Sequence, residues 1–138
     1  MTHIVSFVSE RFHPCLTAST MIGIFYEHYI HRKSFVKTLK AHLPLSSLGS
    51  HADIILFSLK QVTVFRWGNN TSRPFGEHPP TICPQCHSIL PWTSSFVKET
   101  RVGIKCKECR FALVFEMPLN VQKVPAVEVN KWYEHELL

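Results

Sequence analysis

Four cysteines stand in two CxxC pairs, the residue type and spacing most able to do chemistry in this chain. They are Cys83 and Cys86 in "TICPQCHSILPW", and Cys106 and Cys109 in "IKCKECRF". Nineteen residues separate the two pairs, a spacing typical of zinc sites with four cysteine ligands. Each CxxC places two thiolates on one tight turn, and two facing turns complete the tetrahedron that Zn²⁺ accepts. The pattern predicts Zn²⁺ at these four residues, with iron on the same thiolates as the main alternative.

The four cysteine ligands predict a structural metal site and not a catalytic one. Four cysteines close the coordination sphere, so no position remains for a reactive water, and the zinc is expected to be structural. Two pairs at zinc spacing make a redox-active CxxC a weaker explanation. His78 and His87 flank the first pair but are not needed as ligands, and we expect both at the surface. Cys15 stands apart and is expected to be a small buried residue.

The sequence around the cysteines is rich in β-forming residues. "SSFVKETRVGIKC" leads into the second pair and "RFALVFEM" leaves it. Residues 81–118 thereby resemble a zinc ribbon, the three-stranded module of transcription factors, RNA polymerase subunits and many nucleic-acid enzymes. The resemblance covers under a third of the chain and implies the metal and the fold, not a function. Where such modules commonly have glycine after the second cysteine, this chain has His87 and Arg110, at positions that favour a left-handed backbone.

Alternation along "FVKETRVGIKCK" predicts a cationic strand face beside aromatic side chains. The predicted face holds Val97, Glu99, Arg101, Lys105 and Lys107, and the other face holds Phe96, Lys98, Val102 and Ile104. Arg110 adds a further charge, and Trp92 and Phe96 are predicted near the tip of the arm, with Trp92 as the aromatic contact. Cations beside exposed aromatic rings suit single strands or phosphate backbones. An ordinary solvated strand with Trp92 packed inward is the alternative.

An N-terminal α/β part is predicted to precede the ribbon. Residues 3–8 and 62–67 read as strands, whereas 54–59 fits either a strand or a short helix. One amphipathic helix is predicted over residues 20–43 and ends at Pro44. Its predicted apolar face consists of Ile22, Phe25, Tyr29, Val36, Leu39 and Leu43. Its basic side holds Lys33, Lys37 and Lys40, either as a solvated face or as a stripe along a phosphate backbone.

Composition shifts divide the chain into four predicted parts. These are an α/β part (1–67), a Gly-, Pro- and Asn-rich linker (68–80), the zinc ribbon (81–118) and an extension (119–138) ending in a short helix capped by Asn130. The predicted class is therefore α+β: a small N-terminal α/β part with one long helix, followed by a three-stranded ribbon.

Composition and charge restrict the possible functions. The 138 residues carry a formal net charge of +5, which a zinc site with four thiolates would reduce by two. The sequence shows no cationic leader and no membrane-length apolar run, so we expect an intracellular protein, with the nucleus as a possible location. An enzyme is not expected, since paired carboxylates, a phosphate-binding loop and a nucleophile elbow are absent from the sequence.

The leading hypothesis is a zinc-stabilised protein that binds DNA or RNA. Its predicted contacts are Arg101, Lys105, Lys107, Arg110, Lys33, Lys37 and Lys40, with Trp92 as the aromatic contact. A protein-interaction adaptor that docks onto a larger assembly, such as a transcription or chromatin complex, is the second hypothesis. A non-catalytic segment or accessory subunit of a nucleic-acid enzyme is the third. Neither a membrane nor a small-molecule substrate is expected.

Overall fold

The computed structural model describes residues 3–9, 13–45, 51–125 and 131–137. Over these residues the chain forms two α-helices and eight strands in two sheets, so the predicted mixed α+β class is confirmed. In chain order the elements are β1 (Ile4–Val8), α1 (Pro14–Tyr29), α2 (Phe35–His42), β2 (Asp53–Ser58), β3 (Gln61–Gly68), β4 (Trp92–Val97), β5 (Arg101–Cys106), β6 (Ala112–Glu116), β7 (Val121–Lys123) and β8 (Lys131–Glu136).

The chain divides into two compact units. The first unit comprises Met1–Trp67 together with Asn120–Leu138, and the second unit is the intervening Gly68–Leu119. The two helices and the five-stranded sheet belong to the first unit, and the four paired cysteines belong to the second.

The sheet of the first unit has the strand order β1-β2-β3-β8-β7. β1 pairs antiparallel with β2, and β2 with β3, with Ile54 opposite Phe65. The segment that fits either a strand or a helix in the sequence is therefore β2. Leu59 and Lys60 make the turn to β3, where the Ser58 hydroxyl donates to the Gln61 carbonyl oxygen at 3.0 Å.

The core of the first unit joins both helices to this sheet. Its buried side chains come from α1, α2 and the turn that follows it, β2, β3 and the returning C-terminal segment. They are Ile24, Phe35, Leu39, Leu43, Ile54, Leu56, Phe65, Val124 and Trp132. Because Trp132 is the largest fully buried side chain, β8 is part of this core and not an appendage.

The C-terminal segment corrects one prediction. A short helix was expected toward the C terminus, but Lys131–Glu136 is the strand β8, which pairs antiparallel with β7. The predicted cap Asn130 lies outside the described residues. Trp132, Tyr133 and His135 are all buried in β8, and Trp132 belongs to the core of the first unit, so tertiary packing outweighs a weak local helix signal.

The single helix predicted over 20–43 is wrong, because two helices occupy this region with a break between them. α1 ends at Tyr29, and Arg32 then adopts a left-handed backbone with φ 55° before α2 begins at Phe35. The His28 ring Nδ1 is 2.7 Å from the Lys33 carbonyl oxygen, and the Lys33 backbone N–H donates to the Glu27 carbonyl oxygen at 3.3 Å. No glycine or proline marks this break in the sequence.

The face of α1 that contacts the core also differs from the prediction. α1 begins at Pro14, whose fixed φ suits the first helical turn, and it buries Thr17 and Ile24. Ile22, Phe25 and Tyr29 were expected to pack inward but are exposed. Neither helix in the described stretches has the length and apolar character needed to cross a bilayer.

The second unit contains the three-stranded antiparallel sheet β4-β5-β6. Trp92 pairs with Cys106 at one end of the β4–β5 hairpin, and Val97 pairs with Val102 at the other. Val102 and Ile104 of the central strand β5 are buried. β5 ends at Cys106, so this strand places one of the four paired cysteines at the end of the sheet.

Candidate metal centre

Four cysteine sulfurs converge at the end of the three-stranded sheet. The Sγ atoms of Cys83 and Cys109 are 3.6 Å apart, and those of Cys86 and Cys106 are 3.5 Å apart. All four sulfurs lie within 4.8 Å of one another. The first cysteine of each CxxC pair is thus close to the second cysteine of the other pair. This is the arrangement expected when two turns face each other.

The geometry of the cluster fits one tetrahedrally coordinated metal ion. A tetrahedron with metal–sulfur bonds of about 2.3 Å has sulfur–sulfur edges of about 3.8 Å. The observed separations of 3.5 and 3.6 Å are close to this edge, and a disulfide would need about 2.05 Å. Among the described residues, these four cysteines are the only group of three or more metal-ligating side chains close enough to hold an ion together.

The two cysteine turns have the same backbone hydrogen bonds. In the first turn, the Cys83 N–H donates to the Ser88 carbonyl oxygen at 2.9 Å, and the His87 N–H donates to the Cys83 carbonyl oxygen at 3.0 Å. In the second turn, the corresponding bonds join Cys106 to Phe111 at 2.8 Å and Arg110 to Cys106 at 3.1 Å. Two locally equivalent turns therefore present the four sulfurs.

The residue after each second cysteine has a left-handed backbone. His87 has φ 61° and Arg110 has φ 63°, as the sequence predicts for positions where glycine is usual. A side chain at such a φ costs about 1–2 kcal/mol relative to a right-handed conformation. The protein accepts this cost at both turns, which indicates that the closed shape of each turn is strongly determined by its surroundings.

The cysteines differ in burial and in acidity. Cys83 and Cys106 are fully buried, whereas Cys86 and Cys109 are partly exposed. The Ser88 hydroxyl and then its backbone N–H hydrogen-bond the Cys86 sulfur and lower its pKa to about 6. The Phe111 backbone favours the Cys109 thiolate, but burial and the neighbouring thiols outweigh it and raise the pKa of Cys109 to about 12. A cation is what allows all four sulfurs to be thiolates together.

The other candidate ligands lie away from this cluster. His78 and His87 are both exposed, as expected, and neither belongs to the metal-ligating group. Cys15 was expected to be buried but is exposed on α1 in the first unit. Its prediction fails because the side of α1 that carries it does not contact the core.

Two of the predicted cationic contacts share one face of the central strand β5. Arg101 and Lys105 are exposed, while Val102 and Ile104, which alternate with them, are buried. Arg101 lies opposite Glu116 on β6, and its Nε is 3.1 Å from Glu116 Oε1. Both side chains of this pair are at least half exposed, so it stabilises the sheet little but partly neutralises Arg101.

An irregularity in β4 changes which aromatic residue accompanies these cations. The pairing shifts between Ser94 and Phe96, so Phe96 lies opposite Gly103 and Val97 opposite Val102. Phe96 therefore shares the face of Arg101 and Lys105, whereas the sequence placed Val97 there and Phe96 on the opposite face. A one-residue bulge exchanges the two faces of a strand beyond it, and simple alternation cannot reveal this.

Gly103 lies directly beneath the Phe96 ring. A methyl group built on Gly103 would come within 2.3 Å of Phe96 Cε1 and 2.5 Å of Cδ1. The absence of a side chain at Gly103 thus lets the ring lie on the sheet between the positions of Arg101 and Lys105. The sequence predicted Phe96 near the tip of the arm but on the opposite strand face, and it gave no sign of the contact between Phe96 and Gly103.

Trp92 does not form the exposed aromatic contact predicted for it. It is 7% exposed and stands at the cysteine end of the β4–β5 hairpin, opposite Cys106, not at its tip. Its indole N–H donates to the Pro80 carbonyl oxygen at 2.6 Å. The small unit uses this large side chain for its own core, which is the common role of aromatic residues in a module of this size.

The remaining cations are distributed over different elements. Lys107 and Arg110 are exposed in the second cysteine turn. Lys33 lies between the two helices and forms an ion pair with Glu27, and Lys40 pairs with Glu134 of β8. Lys37 is exposed on α2. The continuous basic stripe expected on one helix is therefore interrupted by the helix break and by two acidic partners.

Comparison of the whole chain with known protein families, with curated proteins and with solved structures finds no match. The functional assignment consequently depends on the four cysteines and on the surface that their sheet presents.

Proposed function

We propose that residues 81–118 form a zinc ribbon and that the protein binds single-stranded nucleic acid through one face of the ribbon sheet. The proposal for the metal is supported by the four thiolate donors and by separations that suit Zn²⁺. Zinc would connect the two cysteine turns in a unit whose hydrophobic core is small, so its role is structural.

The single observation that supports nucleic-acid binding is the Phe96 ring beside Lys105 and Arg101. The ring lies on Gly103 but is only partly buried, so surface remains on which a base can stack. Lys105 is exposed on the same face and suits a backbone phosphate. Stacking on an aromatic ring tolerates any base, because every base has a π-face, so little sequence preference is expected.

The charges of the second unit favour a local contact with a nucleic acid over a general electrostatic attraction to it. The second unit, Gly68–Leu119, contains six Lys and Arg residues and four Glu residues, and a zinc ion with four thiolates adds a charge of −2. This unit is therefore close to neutral as a whole. Binding then depends on where Lys105, Lys107 and Arg110 stand, and we expect few counterions to be released.

A second candidate function is docking onto another protein through the first cysteine turn. Ile82, Ile89 and Leu90 leave 49%, 74% and 70% of their surfaces exposed there. An apolar patch of this kind suits a partner better than solvent, and association through it would depend little on salt. The adaptor hypothesis therefore stays as the alternative, and an experiment must distinguish protein docking from nucleic-acid binding.

The test is fluorescence anisotropy of the zinc-loaded chain with labelled single-stranded DNA, single-stranded RNA and duplex DNA, over a range of salt concentrations. Phe96→Ala is expected to weaken single-strand binding by about 1–3 kcal/mol, or roughly 5- to 150-fold, through lost stacking. Lys105→Ala is expected to lower the salt slope by about one phosphate contact.

Two control variants sharpen this comparison. Lys123→Ala removes the same charge from an exposed site on β7 of the first unit, and Ile89→Ser alters the apolar patch on the first cysteine turn. Both should leave the affinity for oligonucleotides unchanged. No detectable binding at low salt, or an affinity that Ile89→Ser lowers and Phe96→Ala does not, would contradict the nucleic-acid proposal.

A further inference from the structure

The solvent-facing side of α1 is almost entirely apolar. Successive residues of an α-helix are 100° apart, and on this spacing the exposed residues of α1 fall on one continuous side. We call this side the α1 outer face, and it consists of Cys15, Ala18, Ser19, Ile22, Phe25, Tyr26, Tyr29 and the capping residue Ile30. The opposite side, with Thr17 and Ile24, already contacts the core of the first unit.

The outer face lacks formal charge throughout. Glu27 and His28 are the charged or basic residues of α1, and both lie on its flanks, partly buried. A surface helix ordinarily carries its charged residues toward solvent, and a helix that is apolar on all sides is usually buried on all sides. α1 therefore has the composition of a helix that is covered on both sides.

The size of the face suits an interface between two chains. Ile22, Phe25, Tyr26, Tyr29 and Ile30 are 68%, 43%, 56%, 66% and 63% exposed. Side chains of this size present about 150–250 Å² each when fully exposed, so the face offers roughly 600 Å². Two such faces in contact bury about 1,200 Å², which is the lower limit for a stable, specific interface.

The distribution of charge and dipole favours a second copy in an antiparallel arrangement. His31 and Arg32 follow the C-terminal end of α1, and Lys33 next to them forms an ion pair with Glu27 of the same helix. A parallel pair would place the two basic segments and the like ends of the two helix dipoles together. An antiparallel pair instead sets each negative C-terminal end beside the positive N-terminal end of its neighbour.

The α1 outer face also has a recess beside its protruding side chains, which allows two copies to fit together. A cavity of about 410 Å³, lined in part by Met21, Phe25 and Tyr29, adjoins the outer face. The exposed aromatic side chains of a second copy can enter such a recess and form edge-to-face or offset contacts with its rings. Because a two-fold interface uses the same patch twice, a protruding side chain and a recess on one face complement each other.

We propose that the α1 outer face is a dimer interface, in which two copies of this chain pack their α1 helices antiparallel about a two-fold axis near Ile22. This interface belongs to the first unit, and the proposal does not depend on the nucleic-acid surface proposed on the second unit. Each dimer would carry two ribbon units.

The mass of the zinc-loaded full chain in solution tests this proposal. Sedimentation equilibrium over a range of concentrations should give twice the chain mass of 15.9 kDa. Ile22→Glu buries a charge at the centre of the interface and should return the mass to that of a single chain. Leu59→Glu is the matched control, since Leu59 is 78% exposed in the β2–β3 turn of the same unit, and this variant should remain a dimer.

Three outcomes would overturn the proposal: a single-chain mass for the native protein at all concentrations, a dimer that Ile22→Glu leaves intact, or a dimer that both glutamate variants disrupt equally. Circular dichroism of both variants establishes that they are folded. A single-chain native protein that instead binds lipid vesicles would also refute the dimer and would assign the face to a membrane surface.

The orientation has its own test with a short thiol cross-linker. Ile22 is near the proposed axis, so Ile22→Cys in a Cys15→Ser background should cross-link two chains. Cys15 is seven residues from Ile22, and in an antiparallel pair the two Cys15 residues are about 21 Å apart along the helices. Efficient cross-linking through native Cys15, with none in Cys15→Ser alone, would contradict the antiparallel arrangement.

Discussion

At the residue scale, the positions next to the four paired cysteines are the ones that the sequence specifies best. The CxxC spacing restricts the four cysteines to two tight turns, and the left-handed backbone expected at His87 and Arg110 is present at both. These features follow from local chain geometry, because a turn of four residues has few solutions. They required no knowledge of how the rest of the chain packs.

The surface beside the metal centre could not be read from the sequence in the same way. Phe96 and Val97 exchange faces because of the pairing shift after Ser94, and Trp92 is buried at the opposite end of the hairpin. A bulge is selected by the packing of both strands together, and nothing in "WTSSFV" marks its place. Local alternation therefore identified the cations Arg101 and Lys105 but not their aromatic neighbour.

The contact between Gly103 and Phe96 gives a prediction at this scale. Gly103→Ala places a methyl group 2.3 Å from the ring, so the ring must move off the sheet. We expect the free energy of unfolding of the second unit to fall by about 1–3 kcal/mol, the usual cost of an added methyl in a packed site. Chemical denaturation of the zinc-loaded protein measures this change.

The control for Gly103→Ala is the same substitution in a Phe96→Ala background. With the ring removed, the added methyl group has space, and its cost should be much smaller. An equal cost in both backgrounds would show that Gly103 is required for its backbone and not for its contact with Phe96.

At the element scale, the limits of prediction follow from features that local periodicity does not contain. The apolar residues at 22, 25 and 29 form a regular helical pattern, but α1 is apolar on both sides, so the pattern cannot tell which side faces the core. Arg32 breaks the helix with a left-handed backbone that glycine or asparagine would ordinarily signal. The strands β1 and β3 were easier to predict, because β-branched and aromatic residues dominate them, whereas the sequence of β2 fits a short helix equally well.

The C-terminal strands give the prediction at this scale. A chain that ends at Leu119 lacks β7 and β8, and with them Val124 and Trp132 of the core. Losing a buried tryptophan alone typically costs about 3–5 kcal/mol, which is comparable to the whole stability of a small unit. We expect the truncated chain to lose the helical circular dichroism signal of α1 and α2.

The same truncation should leave the cysteine unit intact, because Gly68–Leu119 does not include the removed strands. Zinc content and the near-ultraviolet signal of Trp92 report on that unit. Retention of the full helical signal would show that β7 and β8 are dispensable, contrary to their place in the core.

At the scale of the whole molecule, the chain combines two units with different sources of stability. The first unit has a continuous hydrophobic core between two helices and a sheet. The second has a three-stranded sheet with few large buried side chains, and its two cysteine turns meet where a metal ion would join them. We propose the α1 outer face as the contact with a second copy, and the face of the three-stranded sheet that carries Phe96 as the contact with nucleic acid.

The metal content of the purified protein tests the proposed zinc site. Elemental analysis of freshly purified protein should find one zinc ion per chain, and a Cys83→Ser, Cys106→Ser variant should hold none, whereas Cys15→Ser should retain the full amount. The paired variant removes the two fully buried ligands, while the control removes a thiol that lies outside the cluster. Iron in place of zinc would reassign the site, and a chain without metal, or a paired variant that still holds zinc, would contradict it.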